Sequence, residues 1–210
     1  MAAGEDASSF QSARRTGVTR GVDWPGAADL DERLLEEIGR AERHGTQLSC
    51  LLVVVDNLEE MAGEGQPWEA GAERRPAAPE SAVEDLREQT MAYIAGALRR
   101  EIRRFDRVGM PSGRELLIVL PGADGPRGEM VARRVLDRLR AIKVEARGRR
   151  EPLRISVGLV AWTANATPAT MLTRARAAAE RSANGENGAA GTAVPGDHEP
   201  FDAEPTSPPS

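Results

Sequence analysis

The sequence predicts an α/β (α+β) fold with a mixed central sheet, a β-hairpin and packed helices. Three observations lead there. Segments with apolar residues at helical spacing alternate with short runs rich in Val, Ile and Leu. One pair of runs, within Arg107–Leu120, follows without a helix between them. Aromatic residues make up only 3% of the 210 residues, so the core must be built from Leu, Ile, Val, Met and Ala. That length fits one domain with extensions, or at most two small domains.

The elements follow in order. Residues 1–22 carry Gly, Ser, Ala and charge without periodicity and read as a disordered N-terminal arm. Asp29–Arg43 places Leu30, Leu34, Leu35, Ile38 and Ala41 at helical spacing, with Asp29 as a cap and Gly45 as the stop. Leu48–Val55 reads as a buried strand. Gly63–Ser81, rich in Pro and Gly, reads as an inserted flexible surface loop carrying Trp68. Val83–Phe105 predicts a long helix with Leu86, Thr90, Ile94, Leu98, Ile102 and Phe105 on one stripe. The hairpin turns at Pro111-Ser112-Gly113-Arg114. A helix is expected from about Gly128 to Ala141, then a strand over Leu153–Trp162. A last helix, capped by Thr167 with Pro168 in its first turn, runs to about Ala183. Residues 188–210, rich in Gly, Pro, Ala and acids, read as a disordered C-terminal tail. The order α-β-α-β-β-α-β-α suggests a palm-like relative of the ferredoxin fold.

Composition narrows the function classes. The 28 basic and 33 acidic residues give a net charge of −5, which favours solubility and, with few aromatics near the arginines, argues against nucleic acid. The lone Cys50 excludes an intramolecular disulfide and a cysteine zinc cage, and its apolar setting predicts a buried, inert thiol. Only His44 and His198 are present, too few for a histidine-rich metal site. No apolar segment is long enough for a signal peptide or a membrane span, so a cytoplasmic location without membrane contact is expected. Arg147-Gly148-Arg149-Arg150 reads as a solvated basic loop.

At the hairpin, Glu115 stands beside Arg114, a pairing that neutralises itself and repels a divalent cation. The chain here resembles the GGDEF family, the diguanylate cyclase domain of bacteria, over roughly residues 23–187. Arg43-His44-Gly45 followed by LSCLLVVVD is similar to the family's first helix end and first strand. RRFDRVGMPSGRELLIVLP, Arg103–Pro121, is similar to its signature hairpin, with Ser112, Gly113, Arg114, Glu115 and Leu116 where Gly-Gly-Asp-Glu-Phe is expected. RISVGLVAW and RARAAAERSANGEN resemble its late strand and last helix. The resemblance implies a palm fold related to ferredoxin-like and nucleotide cyclase folds. It also implies a chemistry in which two GTP molecules condense across a dimer, with divalent metal on two carboxylates neutralising the triphosphates.

Carried across residue by residue, that chemistry loses its groups. The third signature residue, a metal-binding and base carboxylate in the family, is Arg114. The first-strand metal aspartate falls on Val54, and Asp56 matches the next, non-metal aspartate. The guanine-reading Asn falls on Ala62, its partner Asp on Glu88, the phosphate-binding Lys on Ser182, and the Arg of Gly-Arg-Asn on Glu186. Glu115 and Gly113 keep their places. The expectation is a degenerate domain that is no enzyme, with no catalytic residues, no metal and no cofactor.

The family's second, product-binding site is an Arg-x-x-Asp ahead of the hairpin, which binds cyclic di-GMP. Arg103 and Asp106 supply that motif, Asp106 lying six residues before Ser112, and Arg134 matches a further family arginine. Guanidinium forks suit guanine edges and phosphates, and a carboxylate accepts from guanine N1 and N2 hydrogens. The same arginines read equally as a charged helix end stabilised by its dipole. The resemblance thus implies a regulatory module sensing cyclic di-GMP through Arg103, Asp106 and Arg134, with a protein partner and a homodimer as further expectations. The alternative is a nucleotide-independent protein-interaction or dimerisation scaffold.

Overall fold

The computed structural model describes residues 26–62, 80–146, 149–185 and 191–193. Along the chain run α1 (Ala27–His44), β1 (Leu48–Val55), α2 (Leu58–Ala62), α3 (Glu80–Leu98), β2 (Arg107–Ser112), β3 (Glu115–Pro121) and α4 (Gly125–Arg140). There follow β4 (Lys143–Ala146), β5 (Arg149–Pro152), β6 (Ile155–Ala161), α5 (Pro168–Ala183) and β7 (Gly191–Ala193). The main sheet has the order β2-β3-β1-β6-β7, antiparallel except for the β6–β7 pair, and β4–β5 forms a separate ribbon. The mixed sheet with packed helices is the predicted fold class.

Side chains alternate across β1, β3 and β6, and both faces of the sheet are covered. Leu51, Val53, Leu116, Ile118, Val157 and Leu159 meet α3 and α4 through Met91, Ile94, Leu98, Val135 and Leu139. Leu52, Leu117, Val119 and Val160 meet α1 and α5 through Leu30, Leu34, Met171, Ala175 and Ala179. This explains why β1 reads as a continuous apolar run rather than an alternating one. Cys50 is fully buried, and burial pushes its thiol up to about 12, as an inert core residue requires.

One close approach fixes α5. A Cβ on Gly158 of β6 would lie 2.0 Å from the Ala175 carbonyl oxygen and 2.6 Å from the Ala179 nitrogen. Only a glycine allows the α5 backbone this near, and the Ala175, Ala178 and Ala179 face completes the fit.

Several boundaries differ from expectation for identifiable reasons. The cap of α1 is Gly26, with Asp29 inside the first turn; Gly45 does stop the helix, at φ 59°. Leu35, expected on the apolar stripe, is exposed. The expected Gly63–Ser81 loop ends sooner, because Glu80 and Ser81 are helical; residues 63–79, Trp68 included, lie outside the described residues. Helix α3 stops at Leu98, not Phe105. Beyond it the Arg100 and Glu101 amides turn to Ala97 and Leu98 carbonyls, and the Asp106 carboxylate captures the Arg103 amide at 2.6 Å. Helix α4 starts a turn early because Asp124 caps it by accepting from the Arg127 amide. Thr167 caps α5 as expected.

Three elements were not foreseen: α2, the β4–β5 ribbon and β7. Arg149 and Arg150, expected in a loop, stand on β5. Within the expected tail, residues 191–193 pair with β6; the rest of the tail and the N-terminal arm lie outside the described residues. No described helix is long and apolar enough to cross a membrane.

Candidate functional site

The end of β1 and the start of β3 meet at one place. In the ladder, Val54 is the partner of Glu115 on one side and of Ser156 on the other. Directly opposed residues bring their Cβ atoms to about 5 Å, so a carboxylate at position 54 would converge on Glu115. An isopropyl group stands there instead. The two-residue turn Gly113-Arg114 closes the hairpin, with the Arg114 carbonyl accepting from the Val55 amide at 3.1 Å.

Glu115 is buried and fully engaged. Arg176, from α5, donates to it from Nε at 2.9 Å and from Nη2 at 2.7 Å, a bidentate pair. Burial pushes the Glu115 carboxyl up, but the Arg176 bonds and charge, with the Ser112 hydroxyl and the Arg114 charge, outweigh it and hold the carboxyl below its usual range. Asp56 is displaced the other way: burial raises it, against the Ser156 hydroxyl, which donates at 2.6 Å, and the charges of Arg114 and Arg154. Val54, Asp56, Arg114, Glu115, Ser156 and Arg176 line a cavity of about 280 Å³.

That donor set does not fit a divalent cation. Both Glu115 oxygens already accept from a guanidinium, a second guanidinium lies nearby, and the Val54 side chain offers no oxygen. Among the described residues, no group of three or more His, Cys, Asp or Glu side chains is placed to hold a metal.

Beyond the hairpin turn, between α2 and α3, lies a cavity of about 350 Å³ with Leu58, Met91 and Met110 as apolar walls and Glu59, Glu84 and Glu88 as carboxylates. Glu88, to which the resemblance assigns the guanine-reading aspartate's place, lines this cavity. Ala62 closes α2. Ser182 lies off the α5 face that lines the smaller cavity, which is made by Arg176, Ala179, Glu180 and Ala183. Glu186 lies outside the described residues.

The second candidate site lies at the turn after α3. Asp106 is half-buried; burial raises its carboxyl, while the Arg103 amide bond and the Arg103 and Arg134 charges oppose that rise. The three predicted residues are therefore electrostatic neighbours. Arg103 is exposed, its guanidinium 5.7 Å from the Phe105 ring centre. Arg134, on α4, donates from Nη2 to the Glu101 carbonyl, and its Nε lies 3.3 Å from Glu101 Oε2. Sequence reasoning missed both partners, Arg176 and Glu101. Arg176 had one visible signal: a lone cation on the small-residue face of the last helix.

The family profile described as "Diguanylate cyclase, GGDEF domain" matches residues 85–188. The chain carries a GGDEF domain. Solved structures show the same fold. Diguanylate cyclase SiaD of Pseudomonas aeruginosa, in complex with its activator SiaC, has 23% identity and a TM-score of 0.64, over 87% of this chain and 64% of that one. This chain therefore spans about two thirds of SiaD's length or slightly less. The GGDEF domain of DgcB from Caulobacter crescentus, in complex with c-di-GMP, has 15% identity and a TM-score of 0.62, over 88% and 94% of the two chains. The GGDEF domain of YfiN from Pseudomonas aeruginosa has 21% identity and a TM-score of 0.61, over 80% and 93%. No curated protein matches the chain.

Proposed function

We propose that this GGDEF domain does not condense GTP and acts as a regulatory module that binds cyclic di-GMP through Arg103, Asp106 and Arg134. The bidentate Glu115–Arg176 pair carries the first half of this reading. An internal guanidinium occupies the signature carboxylate, and Arg114 and Val54 replace the groups that would share a metal with it. Triphosphate condensation needs that positive charge placed on the phosphates, and here the protein's own cation is spent on its own carboxylate.

The second half rests on the grouping of Asp106 with two guanidinium charges. An exposed arginine can stack on or fork to a guanine edge, and the carboxylate can accept from guanine N1 and N2 hydrogens. The fold neighbour DgcB was solved with c-di-GMP, and SiaD with a protein activator. A protein partner, a homodimer and a cytoplasmic setting belong to the same proposal. One observation favours the alternative, a nucleotide-independent scaffold: Arg134 is already bonded to Glu101.

Calorimetric titration with cyclic di-GMP at near-physiological salt tests this, with GTP plus magnesium in parallel. Saturable micromolar or tighter binding that is lost in Arg103→Ala, and no cyclic di-GMP formed from GTP, is the expected result. Turnover of GTP would refute the inactive assignment. Absence of heat with cyclic di-GMP would leave the scaffold.

A further inference from the structure

Arg134 meets an acceptor pair within its own chain. Along one edge of its fork, Nη2 donates to the Glu101 main-chain carbonyl, and Nε lies 3.3 Å from the Glu101 carboxylate. A carbonyl and an anionic oxygen side by side are the acceptor classes that a guanine O6 and a phosphodiester offer an arginine. The Glu101 side chain is 19% exposed and that of Arg134 51%, so the acid is the sheltered partner and the cation the accessible one.

Glu101 sits in the turn between α3 and Asp106, its amide bonded to the Leu98 carbonyl. The pair therefore ties this turn to α4. A ligand that takes this edge of Arg134 must displace Glu101, and a phosphodiester also meets its negative charge.

We propose that Glu101 is an internal competitor that sets the affinity of this site by holding Arg134 in the ligand-free chain. The inference rests on the cyclic di-GMP reading above and adds a residue to it. Glu101 is a specificity-determining residue acting through Arg134, and replacing its charge strengthens binding of an anionic dinucleotide.

The test is a cyclic di-GMP titration of the full chain alongside Glu101→Gln, Asp137→Asn and Arg103→Ala, each first checked for a cooperative thermal melt. Glu101→Gln keeps size and main-chain carbonyl while removing the charge. Asp137→Asn removes an equal charge from the same open concavity. Binding about three- to tenfold tighter in Glu101→Gln, the scale of one partly exposed ion pair, with Asp137→Asn within twofold of the parent, is expected. Binding by Glu101→Gln alone, where the parent shows none, supports the inference equally. Parent binding with no gain in Glu101→Gln overturns it and leaves the cyclic di-GMP reading intact. Equal gains in both charge variants overturn it too, since charge alone then accounts for them. Binding that survives Arg103→Ala, or folded proteins none of which bind, removes the reading and the inference together.

Discussion

The two ends of the hairpin segment use arginine in opposite ways. At the turn, Arg176 closes on a buried glutamate from a helix held tightly on the sheet, and both oxygens of the acid are satisfied. At the start of the segment, Arg103 and Arg134 stand in solvent around a half-buried aspartate, with one ion pair at 3.3 Å. The first arrangement belongs to the architecture, because removing Arg176 leaves the buried Glu115 carboxylate without its partner. The second is cheap to rearrange, because water replaces whatever is removed. The two arginines are similarly exposed, 43% for Arg176 and 51% for Arg134, so the burial of the acid and the bidentate geometry decide whether the same residue type acts as a strut or as a hand.

The largest expected effect comes from attacking the strut through its support. Gly158→Val should cost about 3 kcal/mol or more, or prevent folding, because its Cβ would strike the α5 backbone that positions Arg176; urea denaturation measures it. Next, Arg176→Ala should lose about 1–3 kcal/mol, the cost of stranding the buried Glu115 carboxylate, while Arg103→Ala should change stability by less than about 0.5 kcal/mol. Equal losses in the two variants would erase the contrast between the two sites.

The pH dependence separates the sites more finely. The Glu115 carboxyl is depressed in the fold, so its stabilisation is present above its ordinary value of 4.5 and is lost as pH falls through the lower folded value. Asp106 is raised above its ordinary 3.8, so its contribution has the opposite slope, stability declining as pH rises from 3.8 toward the folded value. Acid titration of the melting temperature should therefore lose its steepest part in Glu115→Gln, and Asp106→Asn should remove a small opposing term. The smallest expected effect is at Cys50: a thiol-reactive dye should label it only after unfolding, on the timescale of global opening.

The sequence by itself determined the fold class, the hairpin and the last helix with its Thr167 cap. Those follow from periodicity, turn residues and spacing, which are local, whereas Arg103, Asp106 and Arg134 were singled out by the resemblance to GGDEF domains. Val54 stood out only through the resemblance, which puts a metal aspartate at that position; its register opposite Glu115 came with the structure. The end of α3 at Leu98 was not legible in the sequence, since the apolar stripe continues to Phe105 while side-chain and i−3 hydrogen bonds end the helix. Only the tertiary structure decided that Glu115 is held by Arg176, 61 residues away in the chain, and Arg134 by Glu101, 33 away. A pairing of charges across the sheet or between helices depends on which faces meet, and that depends on the close contact at Gly158 and on the packing of α3 against α4, neither of which leaves a periodic trace in the sequence.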